Sequence, residues 1–267
     1  KRVDPMTMRT CAVAGMFYPR DPSHLEQLLE KFFSVSPGAA NSVGIVSPHA
    51  GYIYSGEIAA RAFSTISPDF SGTFVVIGPS HRGYINCVSK VPWETPLGVV
   101  DNDTEFVESL DIETDEFSHR DEHSLEVQMP FIKYRFPRAQ IAPVMMGQQD
   151  YPSAIRLAEK IGAAIQHTHR DVRIVASSDF SHYVPEDTAK SNDLYAIEPL
   201  KTLNIPEFYR RIGERGVSAC GYGPIAAMVT VCGHLGAKKA QLIRYATSGD
   251  VTGDRHEVVG YAAISVI

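Results

Sequence analysis

Three short runs of apolar residues constrain this chain more than anything else in it. Gly44-Ile45-Val46, Phe74-Val75-Val76-Ile77 and Ile174-Val175-Ala176 contain no polar residue. A strand built from any of them must therefore be covered on both faces. The segments between and around them read as helices. Asp21-Pro22 has the form of an N-cap followed by proline in the first turn, opening a helix to about Phe33. Ile155, Ala158, Ile161 and Ile165 make one stripe of a helix expected over Tyr151–Gln166. Further helices are expected at Glu57–Ile66, Asp103–Leu110, Glu122–Phe136 with a bend at Pro130, Thr188–Leu203, Pro206–Ile212 and Ile225–Cys232. Strands complete the pattern at Val88–Val91, Ile141–Met145, Gln241–Tyr245 and Val258–Val266, the last two paired with each other. Alternating strand and helix with apolar strands implies an α/β fold: one central sheet with helices on both faces. Nothing reads as an interdomain linker, so residues 8–267 are expected to form a single domain.

Composition narrows the class of function. A net charge of −6, with Lys and Arg scattered, argues against a nucleic-acid partner. No apolar stretch approaches the ~20 residues of a membrane span, and the start of the chain lacks the apolar core of a secretory signal. Residues 1–7, opening Lys1-Arg2-Val3-Asp4-Pro5, are expected to be an expression remnant or a disordered N-terminus, with Met6 or Met8 as the native start. The four cysteines, Cys11, Cys87, Cys220 and Cys232, are widely spaced and form no C-x-x-C pair. Reduced thiols in a cytoplasmic protein are the expected state.

The three apolar runs end alike. The first continues Ser47-Pro48-His49-Ala50-Gly51, the second Gly78-Pro79-Ser80-His81, the third Ser177-Ser178-Asp179-Phe180-Ser181-His182. In open α/β sheets the functional crevice lies outside the carboxyl ends of the strands. If these strands are neighbours, His49, His81 and His182 meet there. Histidine is the commonest metal ligand and the natural proton carrier near neutral pH. A lone histidine after a strand is ordinarily a loop residue bonded to backbone, but three in matching positions argue for a shared pocket. Asp179 either orients His182, binds metal or caps its own loop. No G-x-S-x-G elbow accompanies them, which argues against a serine hydrolase.

Other segments supply further candidates. In Asp121-Glu122-His123-Ser124-Leu125-Glu126, Asp121 is expected to cap a helix, with His123 and Glu126 on one face of it. Those two either reach the pocket as acid–base or supporting groups or belong to a charged helix start. Tyr54, in the Gly-rich segment after His49, and Phe17, in Met16-Phe17-Tyr18-Pro19, are candidate pocket walls; core packing is the plainer account of Phe17. Cys220, in the tight turn Cys220-Gly221-Tyr222-Gly223-Pro224, is a candidate pocket thiol. Trp93 carries no reading.

Taken together, the motifs resemble those of the Memo-like (MEMO1) family in its prokaryotic form. The matching segments are Ala14-Gly15 with Tyr18, Ser47-Pro48-His49-Ala50-Gly51-Tyr52, Gly78-Pro79-Ser80-His81, Asp121–Glu126, Ser177–His182 and Tyr245-Ala246-Thr247-Ser248-Gly249-Asp250. They run in one order along nearly the whole chain. That family is similar in fold to class III (LigB-like) extradiol dioxygenases, which use non-haem Fe(II). The resemblance implies a central mixed sheet, His49 and His81 as metal ligands, and His182 as acid–base residue; Asp179 and His123 stay catalytic candidates on the residues alone. The eukaryotic branch has a cysteine soon after its Tyr-Ala-x-Ser motif. The corresponding place here is Asp250-Val251, so Asp250 is expected as third ligand, with Glu126 or Asp179 as other carboxylates able to serve.

Three functions are compatible with this. The first is a redox enzyme using a divalent transition metal, Fe(II) before copper or zinc, on a small substrate, aromatic ones included. Metal-dependent hydrolysis is the second. The third is a non-enzymatic binding or signalling protein that keeps the dioxygenase-like fold and takes a small molecule or peptide. Prokaryotic relatives resemble parts of a system with an AMMECR1-like and a radical-SAM protein, which are the implied partners.

Overall fold

The computed structural model describes residues 7–36, 38, 41–83 and 85–267; residues 1–6 of the expected N-terminal remnant lie outside that set. The strands are β1 (Gly44–Ser47), β2 (Thr73–Pro79), β3 (Cys87–Val88), β4 (Trp93–Thr95), β5 (Gly98–Val100), β6 (Gln140–Met146), β7 (Val172–Ser177), β8 (His182–Val184), β9 (Ala240–Thr247) and β10 (Val258–Val266). Eight of them form one mixed sheet in the order β3-β6-β2-β7-β1-β10-β8, with β9 also on β10. The central four, β6, β2, β7 and β1, are parallel; β3 and β10 flank them antiparallel. β4 and β5 make a separate hairpin.

The apolar runs are the inner strands. Alternate residues of β2 feed opposite faces: Val75 and Ile77 join the core under the helices Tyr151–Thr168 and Tyr222–His234. Phe74 and Val76 join the core under Pro22–Ser34 and Tyr52–Phe63. Strand, helix and double coverage follow from one pattern of sequence. β2, β7 and β1 are adjacent, with Ile77 opposite Ala176 and Ser47 opposite Ser177. Their carboxyl ends therefore open on one place.

Some elements depart from the sequence reading. The helix expected at Glu57–Ile66 starts at Tyr52, because only Gly51 of the Gly-rich segment stays outside it as the cap. Gly56 lies inside, where a Cβ would run into the ring of Phe32 on the neighbouring helix. The expected helix Glu122–Phe136 is two pieces, His123–Glu126 and Met129–Arg135. Pro130 stands in the first turn of the second piece, so it begins a helix instead of bending one. Glu122, not Asp121, caps the first piece by accepting from the Ser124 amide. Thr188–Leu203 is the helix Glu186–Ile197 followed by a three-ten turn over Glu198–Thr202 that contains Pro199. Trp93 is fully buried beneath the guanidinium of Arg9, 4.2 Å from the ring centre.

Candidate metal centre

His49 and His81 meet at the strand ends with ring centres 5.2 Å apart, and His123 joins them at 5.4 and 4.4 Å. They form the floor of a cleft of about 360 Å³ whose walls include Phe17, Tyr54, Asp179, His182, Tyr183 and Tyr261.

Hydrogen bonds fix which nitrogen of His49 and of His81 is free. Ser177 donates its hydroxyl to the Ser124 carbonyl at 2.6 Å. It can then only accept from His49 Nδ1, 2.9 Å away, so Nδ1 carries the proton and Nε2 the lone pair. The amide of Gln128 also donates to Ser177 Oγ and to the Pro48 carbonyl, locking this corner. His81 is fixed similarly: Nδ1 donates to Glu122 Oε1 at 2.8 Å while its backbone amide donates to Oε2 at 2.7 Å. Burial pushes the Glu122 carboxyl upward, but hydrogen bonds from the His81 ring and the Ser124 amide outweigh it and hold it at about 2. An ionised, buried carboxylate behind a histidine raises ligand basicity and sets its tautomer.

The thiol of Cys220 completes the arrangement. Its sulfur lies 3.2 Å from His49 Nε2 and accepts a hydrogen bond from the Asp179 amide at 3.2 Å. Ligand atoms of His49, His81 and Cys220 all fall within 4.8 Å of one another, a spacing that could hold one metal ion. His81, Glu122 and His123 form a second such group. The Glu122 carboxylate there already accepts from three N–H groups, which makes it a supporting residue for His81. Burial raises the Cys220 thiol, so without an ion it is protonated.

Proton-handling groups surround this floor. Burial lifts Asp179 to about 6 against the opposing hydrogen bond from the His49 amide, 2.8 Å from Oδ1. Burial lowers His123 to about 4, leaving it neutral at physiological pH. His182 donates Nδ1–H to the Ser218 carbonyl at 2.9 Å, which leaves its Nε2 lone pair for the cleft.

Two expected site residues stand elsewhere. Asp250 caps the end of β9 by accepting from the Thr247 amide at 2.9 Å. It lines the neighbouring groove with Lys31, Glu57 and Arg244, and belongs to neither metal-holding group. Glu126 is buried away from the cleft, accepting from the Ala12 and Val13 amides and the Tyr18 hydroxyl and paired with Arg9 at 2.7 Å. Four N-terminal groups occupy that carboxylate, so it has no capacity for a ligand. The sequence reading also missed Ser177, Gln128 and the part of Glu122 in fixing the histidines. The adjacency Glu122-His123 was the available signal, but it pointed to the wrong histidine.

These features define a class: an α/β protein with a His-His-Cys group at the carboxyl ends of neighbouring strands, set in a histidine-lined cleft. The profile of the Memo-like protein family matches residues 9–265. A MEMO1 family protein of Methanosarcina barkeri is 43% identical over 266 residues, covering 97% of this chain and all of that protein. Those of Methanothermobacter thermautotrophicus and Methanococcus vannielii are 41% and 38% identical, each over 97% of this chain. The chain belongs to the Memo-like family.

Proposed function

We propose that this protein is a cytoplasmic, metal-dependent oxidoreductase of the non-haem kind acting on a small substrate, its ion held by His49 Nε2, His81 Nε2 and the Cys220 thiolate. One observation carries the reading: three ligand atoms from distant parts of the chain lie within 4.8 Å, with both imidazole lone pairs fixed by other residues. The donor set fits the group. Two imidazoles and a thiolate suit iron, copper or zinc and are poor ligands for magnesium or calcium. Fe(II) is the ion proposed first. When bound, such an ion supplies the electron exchange that activates dioxygen toward a reduced substrate.

The chain's own side chains do the remainder. Ser177 and Glu122 keep the lone pairs aimed without rearrangement. The Asp179 amide, donating to the Cys220 sulfur, favours the thiolate over the thiol. His182 Nε2 can take a proton from a substrate hydroxyl, and the Asp179 carboxyl can hold or return one near pH 6. Phe17 packs its ring 4.8 Å from that of His123 and keeps water from one side of it.

The test is to purify the protein without oxygen and measure metal content in the wild type, His49→Ala, His81→Ala and Cys220→Ser, then follow oxygen uptake with a panel of catechols. Stoichiometric iron, lost in all three variants, is the expected result. Zinc with oxygen-independent turnover would replace oxidation by hydrolysis. Unchanged metal content in the variants would end the metal reading.

A further inference from the structure

β8 is three residues long, and its middle residue is conformationally unusual. His182 stands opposite Val259 and Val184 opposite Val258. Two adjacent residues of β10 thus face three of β8, and Tyr183 is the extra residue of a β-bulge. Its φ is 56°, in the left-handed region that a bulge of this kind ordinarily gives to glycine. Among the other non-glycine residues at positive φ, Asp111, His169 and Leu203 each sit at or just past a helix end, where that conformation is common. Tyr183 sits inside a strand.

Its neighbours hold it there. The His182 amide donates to Ser218 Oγ at 2.8 Å, and the Gly260 amide to the Ser181 carbonyl at 2.9 Å. Ser181 is bound in turn by the buried carboxylate of Asp193, to which its hydroxyl donates at 2.5 Å. The consequence is a ring that is 72% exposed yet lines the cleft, 6.0 Å from the ring of His182. Of the other cleft aromatics, Phe17 already packs on His123, Tyr261 is buried, and Tyr54 is 38% exposed on the side shared with the neighbouring groove. Backbone energetics favour glycine at this φ, and so exposed a ring adds little to core packing. What the bulge achieves is placement: a bulge beside a site re-aims one side chain, and here that side chain is at the mouth of the cleft.

We propose that Tyr183 is a ligand-contacting residue whose ring stacks on a planar aromatic or heteroaromatic small molecule while the polar end of that molecule reaches the histidine floor. This rests on the reading of the cleft as a substrate site, but not on the identity of the ion. A cleft of about 360 Å³ suits a molecule of one or two rings.

The experiment uses para-nitrophenol, a planar chromophore, titrated into metal-free and iron-loaded full-length protein without oxygen. The variants are Tyr183→Gly, Tyr183→Ala and Tyr183→Phe. Loss of the stacking face is expected to weaken probe binding about tenfold in the glycine and alanine variants and to leave Tyr183→Phe near wild type. Tyr183→Gly, freed of the left-handed strain, is expected to unfold at the wild-type temperature or about 2–4 °C above it. A probe affinity indifferent to Tyr183→Gly overturns the proposal, and so does wild-type protein that binds no probe in either form. Weaker binding accompanied by a lower unfolding temperature in Tyr183→Gly would make the ring a structural element and overturn it as well. The two readings fail separately: no iron uptake with ring-dependent probe binding removes the metal alone, whereas iron uptake with ring-independent binding removes Tyr183 alone.

Discussion

His119 shows how a buried ring titrates in this protein away from the cleft. It is fully buried beside Trp93, with Nε2 3.3 Å from the Cys87 carbonyl and Nδ1 without a hydrogen-bond partner among the described residues. Burial lowers it to about 4. The unfolded chain, with an ordinary histidine near 6.5, takes up the proton first. Stability from this residue is therefore complete above about pH 6.5, is lost as pH falls toward 4, and loses nothing further below that. The loss is on the order of 3 kcal/mol across the window. Urea unfolding of wild type and His119→Phe at pH 7 and pH 4.5 should show the gap between them shift toward the variant at the lower pH. An equal gap at both values would mean that the ring is hydrated in the folded state. The same physics separates what could be read in the sequence from what could not. His49, His81, Asp179 and His182 were legible because each follows an apolar run, and runs of that kind predict their own surroundings. Cys220 was legible only as a pocket thiol, since its partner His49 lies 171 residues away and local pattern holds no information at that range.

The elements that position the site divide along the same line. Strands and long helices came out of periodicity because burial on a face repeats along the chain. The short helices around Glu122, expected as one bent helix, and the hairpin carrying Trp93, for which no strand was expected, are set by caps and by the N-terminal segment. The turn ahead of the helix Tyr222–His234, which the glycines around Cys220 did announce, delivers Cys220 to His49. Gly221 is pressed against β7: an added Cβ would overlap the Ser177 carbonyl oxygen and come within 2.7 Å of Ser178 Cβ. Backbone and a strand-end side chain cannot yield as the tip of a flexible chain would. Gly221→Ala should therefore displace the turn, draw the sulfur from the histidines and cost about 1–3 kcal/mol. Iron affinity and thermal unfolding measured together decide it. Lower stability with full iron affinity would show that the turn relaxes without moving Cys220, and would remove Gly221 from the support of the site.

At the scale of the whole molecule, one buried ion pair fastens the start of the described chain to the site's supporting helices. Arg9 and Glu126 are both almost fully buried. The guanidinium pairs with that carboxylate at 2.7 Å, donates to the carbonyls of His119 and Glu122, and covers Trp93. Glu122 thus has its backbone held by Arg9 and its carboxylate bound to His81, so the pair is joined to the His49–His81–Cys220 group through one residue. A buried pair in place gains little over apolar packing, whereas removing one partner strands the other's charge, at a cost of about 3–5 kcal/mol. Glu126 would keep the Ala12 and Val13 amides and the Tyr18 hydroxyl, which places Arg9→Met toward the lower end of that range. Neutralising the stranded charge should then recover stability: Arg9→Met with Glu126→Gln is expected to be more stable than the sum of the single losses, by about 1–3 kcal/mol. A double-mutant cycle in denaturant unfolding measures this directly. Simple additivity would mean that Arg9 acts through its hydrogen bonds and the Trp93 contact alone, and that its charge contributes nothing to holding the fold around the site.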